Sequence, residues 1–448
     1  MLTLAEASTQ IRNRKLSSVD LTRDCLERIG MLDPELNAFI TVTAEIALGQ
    51  ARQADIEISA GKWRGPLHGI PIALKDLIDV RDVRTTAASN QLRQHFPAAD
   101  AAIVQQLKRA GSVIMGKTNL HEFAFGGSGM ISAFGPARNP WDITRITGGS
   151  SSGSAAAVAA GMCVVAIGTD TAGSIRDPAA LCGIVGLRPS EGVWSLDGII
   201  PLRKSFDTVG LLTRTVEDAW MTLRALSGKS NPTNMSETVD QVRVGVARDG
   251  FLDAEDSDVN RCFANALEVI RSQVASMRDV QIKIGVTWTD FDVEILEYHH
   301  KMLAESPELY QPGTLERLRA CAAIPAAEFE KAKDELAAAR REAESIFDSV
   351  DMLVTSTCPV SAPRIAELEA MAASELRAFE VQKLLRNTAP FSLLFWPSVS
   401  VPCGFTGEGL PVGLQISARP GADELALRVA RAYEQATEWH TRMPAIAH

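Results

Sequence analysis

The hydrophobic pattern of this chain alternates between helix-length amphipathic stretches and short apolar runs. Ser17-Ser18-Val19-Asp20 sets capping residues ahead of LTRDCLERIGMLDP and predicts a helix with Pro34 behind it. A second amphipathic helix is predicted from Thr43 to Ile58, and a third from Ala101 to Ala110, ended by Gly111. The segment from Ile70 to Val80 reads as a strand with Lys75 in its middle, and Val113-Ile114-Met115 as a short strand. Val164-Val165-Ala166-Ile167 is β-branched enough for a buried strand, preceded by an alanine run that predicts a tightly packed helix. Beyond Pro189, short strands and turns lead to Leu211, and a helix follows to Leu226. Ser227 to Asp240 is polar and breaks the pattern, and a new strand starts at Val242. From about 250 to 350 the pattern is mostly helical; KAKDELAAARREAESIF is a charged amphipathic helix with a solvated face. Met352 to Thr355, Pro397 to Cys403 and Val412 to Ala418 read as late core strands, and Asp423 to Trp439 as a closing helix.

Composition narrows the setting. The 448 residues would allow two or three domains, but no Gly/Ser/Pro-rich linker divides them. A net charge of −10 argues against non-specific nucleic-acid binding, which needs a basic surface. Seven cysteines without CxxC pairs suggest reduced, mostly buried thiols. The first residues, MLTLAEASTQIRNRKLSS, lack the continuous apolar core of a signal peptide. The longest apolar run, Ala155 to Ile167, is too short for a bilayer. These features together predict a cytoplasmic protein.

Candidate chemistry concentrates between Arg145 and Pro189. Two glycine-rich turns each carry a serine: Gly148-Gly149-Ser150-Ser151-Ser152-Gly153 and Thr169-Asp170-Thr171-Ala172-Gly173-Ser174. Small residues with free amides just before a serine suit a backbone cradle for a developing oxyanion. Lys75, flanked by Ile72, Ala73, Leu74, Leu77 and Ile78, is unusual, because lysine is rarely buried unless paired or functional. An edge-strand lysine that blocks aggregation is the alternative. The seven histidines show no HxH or HExxH spacing, and no metal site is expected.

The two turns closely resemble the amidase signature family, which carries GGSSGGS, then TGGS-I-R-x-P-A, and a lysine in an earlier K-D pair. Here the serines stand 24 residues apart and Lys75-Asp76 supplies the pair. Ser152 and Ala172 replace glycines of the common pattern, and Ala172 demands an ordinary backbone conformation. The resemblance implies an α/β fold: an α/β/α arrangement whose mixed central sheet is covered by helices on both faces. It implies a single domain over 1–448, with a signature core at about 65–215 and a helical, substrate-shaping region at about 250–350.

The resemblance also implies a Ser-Ser-Lys triad. Ser174 would attack the carbonyl, and Ser150, on a cis peptide bond, would relay its proton to a neutral Lys75. His68 and His121 fall in signature regions, but at positions that the family does not use for catalysis. The amides of Thr171, Ala172, Gly173 and Ser174 would hold the oxyanion, while Ala124, Gly126 and Ser151 border the substrate. Asp170 and Arg176 would brace the loop, and Asp177 would add a turn contact. The implied reaction is hydrolysis of an amide, carbamate (urethane) or ester through an acyl-enzyme, without cofactor or metal. Its partner would be a small-molecule amide or carbamate, with no nucleic acid and no membrane, and a homodimer is the default assembly. The alternative is the A subunit of a tRNA-dependent amidotransferase, which delivers ammonia to a charged tRNA within a complex. The shortness of the chain and Ala172 count against it. Phe123, Ala124 and Phe125, with Phe391, Phe395 and Trp396, suggest an apolar pocket for uncharged acyl groups. No arginine beyond Arg176 stands in a signature loop to receive a carboxylate, and selectivity is expected to lie largely after Gly250.

Overall fold

Among the residues described by this computed structural model (1–228, 235, 237–248, 254–285 and 287–447), eleven strands join in one mixed sheet. In chain order the strands are β1 (Phe39–Val42), β2 (Pro71–Lys75), β3 (Val113–Thr118), β4 (Arg138–Asn139), β5 (Asp142–Ile146), β6 (Val165–Asp170) and β7 (Val185–Arg188). They continue with β8 (Thr208–Thr213), β9 (Arg243–Ala247), β10 (Ser276–Val280), β11 (Met352–Ser356), β12 (Ser398–Phe405) and β13 (Pro411–Ala418). The spatial order is β1-β3-β2-β6-β8-β7-β12-β13-β11-β9-β10, and β4 and β5 pair separately. β2 runs parallel to β3 and β6, and β9 runs parallel to β10 and β11; the other neighbours are antiparallel.

Strand side chains alternate between two apolar layers, so helices cover both faces. Ile72, Leu74, Ile114, Val165, Ile167 and Leu211 join one core with Ile103, Leu107, Ala426 and Leu427 of covering helices. Ala73, Val113, Met115, Ala166 and Leu212 point the other way, onto the helix Ser152–Ala159 and onto Ala47 and Ala51. That helix is wholly buried and half alanine, a strong helix former whose single methyl lets helix and sheet approach closely. The fold is thus a mixed α/β sheet flanked by helices.

Several sequence expectations shift. The first long helix, Ser18–Leu36, runs through Pro34 and closes at left-handed Asn37, because a proline there removes only one hydrogen bond near the helix end. β2 ends at Lys75, which puts the lysine at the strand's carboxyl edge instead of its middle. The region after 250 includes the strand β10, whose sequence SMRDV has no apolar alternation because it lies at the sheet edge. The last helix stops at Gln435, and Trp439 begins a separate 3₁₀ turn. Half of the polar break expected from Ser227 to Asp240, at 229–234 and 236, lies outside the described residues, as does Gly250.

Candidate active site

β2 and β6 are parallel neighbours, so their carboxyl ends open onto one crevice, where α/β sheets commonly place ligand sites. Lys75 closes β2 and is fully buried. Its Nζ lies 2.7 Å from Ser150 Oγ and 3.0 Å from Thr169 Oγ1 near the end of β6. Burial drives the ammonium toward its neutral form and lowers Lys75 to about 7, against the pull of Asp207 and Asp170. Ser150 follows a cis Gly149-Ser150 bond, and its carbonyl accepts the His121 amide at 3.1 Å. The next residue, Ser151, donates its amide to the carbonyl of Ser174 at 3.2 Å, which ties the two turns together. Ser174 keeps 5 % exposure where Lys75 and Ser150 have none, so of the three it is the one a substrate can reach.

Asp170 organises the second turn. Its carboxylate accepts the amides of Gly173 (2.9 Å) and Ile175 (3.2 Å) and both Nε (3.0 Å) and Nη2 (2.9 Å) of Arg176. Arg188 adds an ion pair at 3.3 Å. Burial alone would raise the Asp170 carboxyl, but the two guanidinium groups hold it well below the usual range. Gly173 is needed on steric grounds: its φ is +141°, and a Cβ there would meet Thr388 Oγ1 at 2.0 Å. Ala172 has no positive φ, in keeping with its side chain.

The expectation that the Gly173 amide faces the substrate is corrected, because Asp170 takes that amide. The amides of Thr171, Ala172 and Ser174 meet no acceptor among the described residues. Arg176 is likewise committed. Its remaining donors reach the carbonyl of Thr388 (2.9 Å), Gln415 Oε1 (2.8 Å) and Ser392 Oγ (2.6 Å), so it braces the loop and offers nothing to a substrate. Ser151 spends its hydroxyl on the Thr169 carbonyl at 3.2 Å. The Ala124 amide bonds the His121 carbonyl at 2.7 Å, and Phe123 and Ala124 both lie in the left-handed region. Gly126 sits against His121, whose ring would lie 2.1 Å from an added Cβ. Asp177 accepts the Gly149 amide (3.0 Å) and the Cys358 thiol (2.9 Å), and burial pushes it up to about 8 despite both bonds.

The aromatic residues expected to line an apolar pocket divide between different surroundings. Phe391 and Trp396 pack with Leu353, Ile282 and Val350 in a core of their own. Phe125 is ringed by Arg203, Arg317 and Arg377, with guanidinium carbons 6.0, 6.0 and 4.8 Å from its centroid. Taken singly, these arginines look like ordinary surface charges; their convergence from positions 174 residues apart leaves no local signal. Thr169, by contrast, is legible as a strand-end hydroxyl within the second glycine-rich turn. Lys117, which pairs with Asp76 at 2.9 Å one strand away, is a second buried lysine that the sequence pattern does not single out. His121 is fully buried, and burial lowers it to about 3, while Arg317 Nη1 donates to its Nε2 at 3.3 Å; it is a poor proton acceptor at neutral pH. A cavity of about 1140 Å³ among the described residues is walled by Trp288, Ala338, Ala339, Ala389, Pro390 and Leu393 and does not include Lys75, Ser150 or Ser174. Lys75 Nζ, Ser150 Oγ and Thr169 Oγ1 meet outside that cavity, and the bond from the Ser151 amide to the Ser174 carbonyl joins the second turn to them. Among the described residues no helix is long and apolar enough to cross a membrane.

The sequence profile of the amidase family matches residues 20–427. The A subunit of glutamyl-tRNA(Gln) amidotransferase of Roseiflexus castenholzii is 36% identical over 489 residues, spanning 99% of this chain and 98% of that protein. A crystal structure of an amidase, 34% identical, matches with a TM-score of 0.88 over 97% of this chain and 99% of its own. The crystal structure of the A subunit of glutamyl-tRNA(Gln) amidotransferase from Thermotoga maritima, 32% identical, matches at 0.79 over 97% and 94%. These relatives overturn the expectation of a small-molecule partner with no nucleic acid. The net charge of one chain speaks only for that chain's average surface, and proteins named as subunits of a tRNA amidotransferase share its whole length. With the profile, the end-to-end relatives and the fold in agreement, this chain belongs to the amidase family, the amidase-signature enzymes that act on carbon–nitrogen bonds.

Proposed function

We propose that this chain is the A-type subunit of a tRNA-dependent amidotransferase, releasing ammonia from an amide donor through an acyl-enzyme on Ser174. Neutral Lys75 accepts a proton from Ser150 across their 2.7 Å contact, and Ser150 accepts the proton of Ser174 as its Oγ attacks the amide carbon. The oxyanion forms near the amides of Thr171, Ala172 and Ser174, donors that no described protein group occupies. The tetrahedral intermediate then expels the amine, which takes its proton back through Ser150. Water, entering where the amine left, reverses the relay and frees Ser174. Thr169 holds Nζ of Lys75 in line with Ser150 at 3.0 Å. The observation that supports the amidotransferase reading is 36% identity in a match that spans 99% of this chain and 98% of the relative.

A second reading, hydrolysis of a free amide with no acceptor, is supported by the higher TM-score with the amidase, 0.88 against 0.79. Ammonia release from glutamine separates the two when measured on the chain alone and after co-expression with candidate partner subunits and glutamyl-tRNA. The amidotransferase reading expects a partner that co-purifies and glutamine cleavage coupled to amidation of the charged tRNA. Turnover of simple amides by the isolated chain, with no response to glutamyl-tRNA and no partner, would refute it in favour of the second.

A further inference from the structure

Ser150 is tied to the second serine turn on both of its flanks. After it, the Ser151 amide donates to the Ser174 carbonyl at 3.2 Å; before it, the Gly149 amide donates to Asp177 Oδ2 at 3.0 Å. Asp177 carries that second tether back to the nucleophile's own turn, because its amide donates to the Gly173 carbonyl at 2.8 Å. The seat is close. A Cβ on Gly148 would come 2.7 Å from the same Oδ2 and 3.1 Å from Pro178 Cα, and one on Gly149 would come 2.7 Å from the Gly129 nitrogen. A buried amide that loses its acceptor in such a seat is costly, so the turn moves to recover one. The other carboxyl oxygen, Oδ1, lies 2.9 Å from the thiol of Cys358, just beyond β11.

Asp177 makes these contacts without a counter-charge. Asp170 pairs with Arg176 and Arg188, whereas Asp177 is fully buried and has no cation partner among the described residues. A buried carboxyl without a cation favours its neutral form. Burial first, then the charges of Glu380 and Asp170, push Asp177 up to about 8, while burial keeps the facing thiols of Cys358 and Cys182 un-ionised. Across the same 2.9 Å, the neutral acid donates from Oδ1 to Sγ and still accepts the Gly149 amide at Oδ2.

We propose that Asp177 is a positioning residue for the proton relay: by accepting the Gly149 amide it holds Ser150 between Lys75 and Ser174, through the shape of its hydrogen bonds and not through charge. The role rests on the acyl-transfer reading above and extends it beyond the three reacting side chains. An ionised Asp177 accepts the same amide, so the role persists on both sides of its titration.

Substitutions that separate shape from charge test it. Asp177→Asn keeps an acceptor for Gly149 and offers Cys358 an N–H, whereas Asp177→Ala and the bulkier Asp177→Leu remove the acceptor. The asparagine variant should stay within about threefold of the parent kcat, and the folded Ala and Leu variants should lose ~10- to 100-fold in kcat with KM nearly unchanged, as for a hydrogen bond that touches no substrate. Crystal structures of the variants read the positioning without turnover: Ser150 Oγ should leave its 2.7 Å contact with Lys75 Nζ in Asp177→Ala and keep it in Asp177→Asn. A parent-like kcat in the folded Ala or Leu variant, or an Asn variant that falls as far as they do, overturns the role, even where Ser174→Ala abolishes turnover and the acyl-transfer reading stands. Displacement of Ser150 from Lys75 in Asp177→Ala alone supports it, even where a folded Ser174→Ala variant still turns over and that reading falls.

Discussion

Replacing Asp170 by asparagine should damage stability and turnover together. The carboxylate accepts two backbone amides and two Arg176 nitrogens at 2.9 to 3.2 Å and lies 3.3 Å from Arg188. Asparagine keeps the shape, but it removes the charge and turns one acceptor oxygen into a donor facing other donors. Removing one partner of a buried ion pair costs about 3–5 kcal/mol. An unfolding entropy near 2.1 cal/mol/K per residue gives ~0.9 kcal/mol per kelvin for this chain, so Tm should fall by about 3–5 °C. The parent Asp170 is held below the ordinary aspartate value, so its contribution is present above about pH 3.9 and is lost only as pH falls further. The gap between parent and variant should therefore be constant at neutral pH and close only in strong acid. Because the Gly173 and Ile175 amides lose their anchor, the oxyanion donors beside them shift, and kcat should fall by about a hundredfold or more. Scanning calorimetry and steady-state turnover on the same preparation read both effects. A variant that melts within ~1 °C of the parent and keeps its kcat would refute Asp170 as the anchor of the turn.

Two further outcomes follow from the same geometry. Lys75 acts as a base only when neutral, so kcat/KM should rise about tenfold per pH unit below about pH 7 and level off above it; a maximum near pH 6 that declines toward alkaline pH would contradict a lysine base. Gly173→Ala would set a Cβ 2.0 Å from Thr388 Oγ1 at φ +141°, so the folded variant should lose about a hundredfold or more in kcat; kcat near that of the parent would mean that the turn tolerates movement.

What the sequence disclosed follows the range of the interactions. Ser150, Ser174 and Lys75 lie in short local patterns, β6 opens on the apolar run Val165-Ala166-Ile167, and β13 sets Val412, Leu414, Ile416 and Ala418 at alternate positions, so these were legible as candidates. Pro34 misled because proline signals a helix end near its position without fixing the residue. β10 was missed because an edge strand need not alternate, and SMRDV is largely polar. The brace between Asp170 and Arg176 was legible, but the commitment of the Gly173 amide to Asp170 and the contacts with Thr388, more than two hundred residues away, left no local signal. The ring of Arg203, Arg317 and Arg377 around Phe125 is hidden for the same reason. Chain-wide charge misled about partners because it averages over surfaces that act separately.

In the proposed reaction Ser174 carries the acyl group while Ser150 and Lys75 move its proton. Acid-quenching the enzyme during turnover of a cleavable amide or its ester, followed by peptide mass mapping, tests it directly. The expected result is an acyl increment on the peptide that contains Ser174, with the folded Ser174→Ala variant showing neither increment nor turnover. An acyl group on Ser150, or a folded Ser174→Ala variant that turns over at the parent rate, would contradict it.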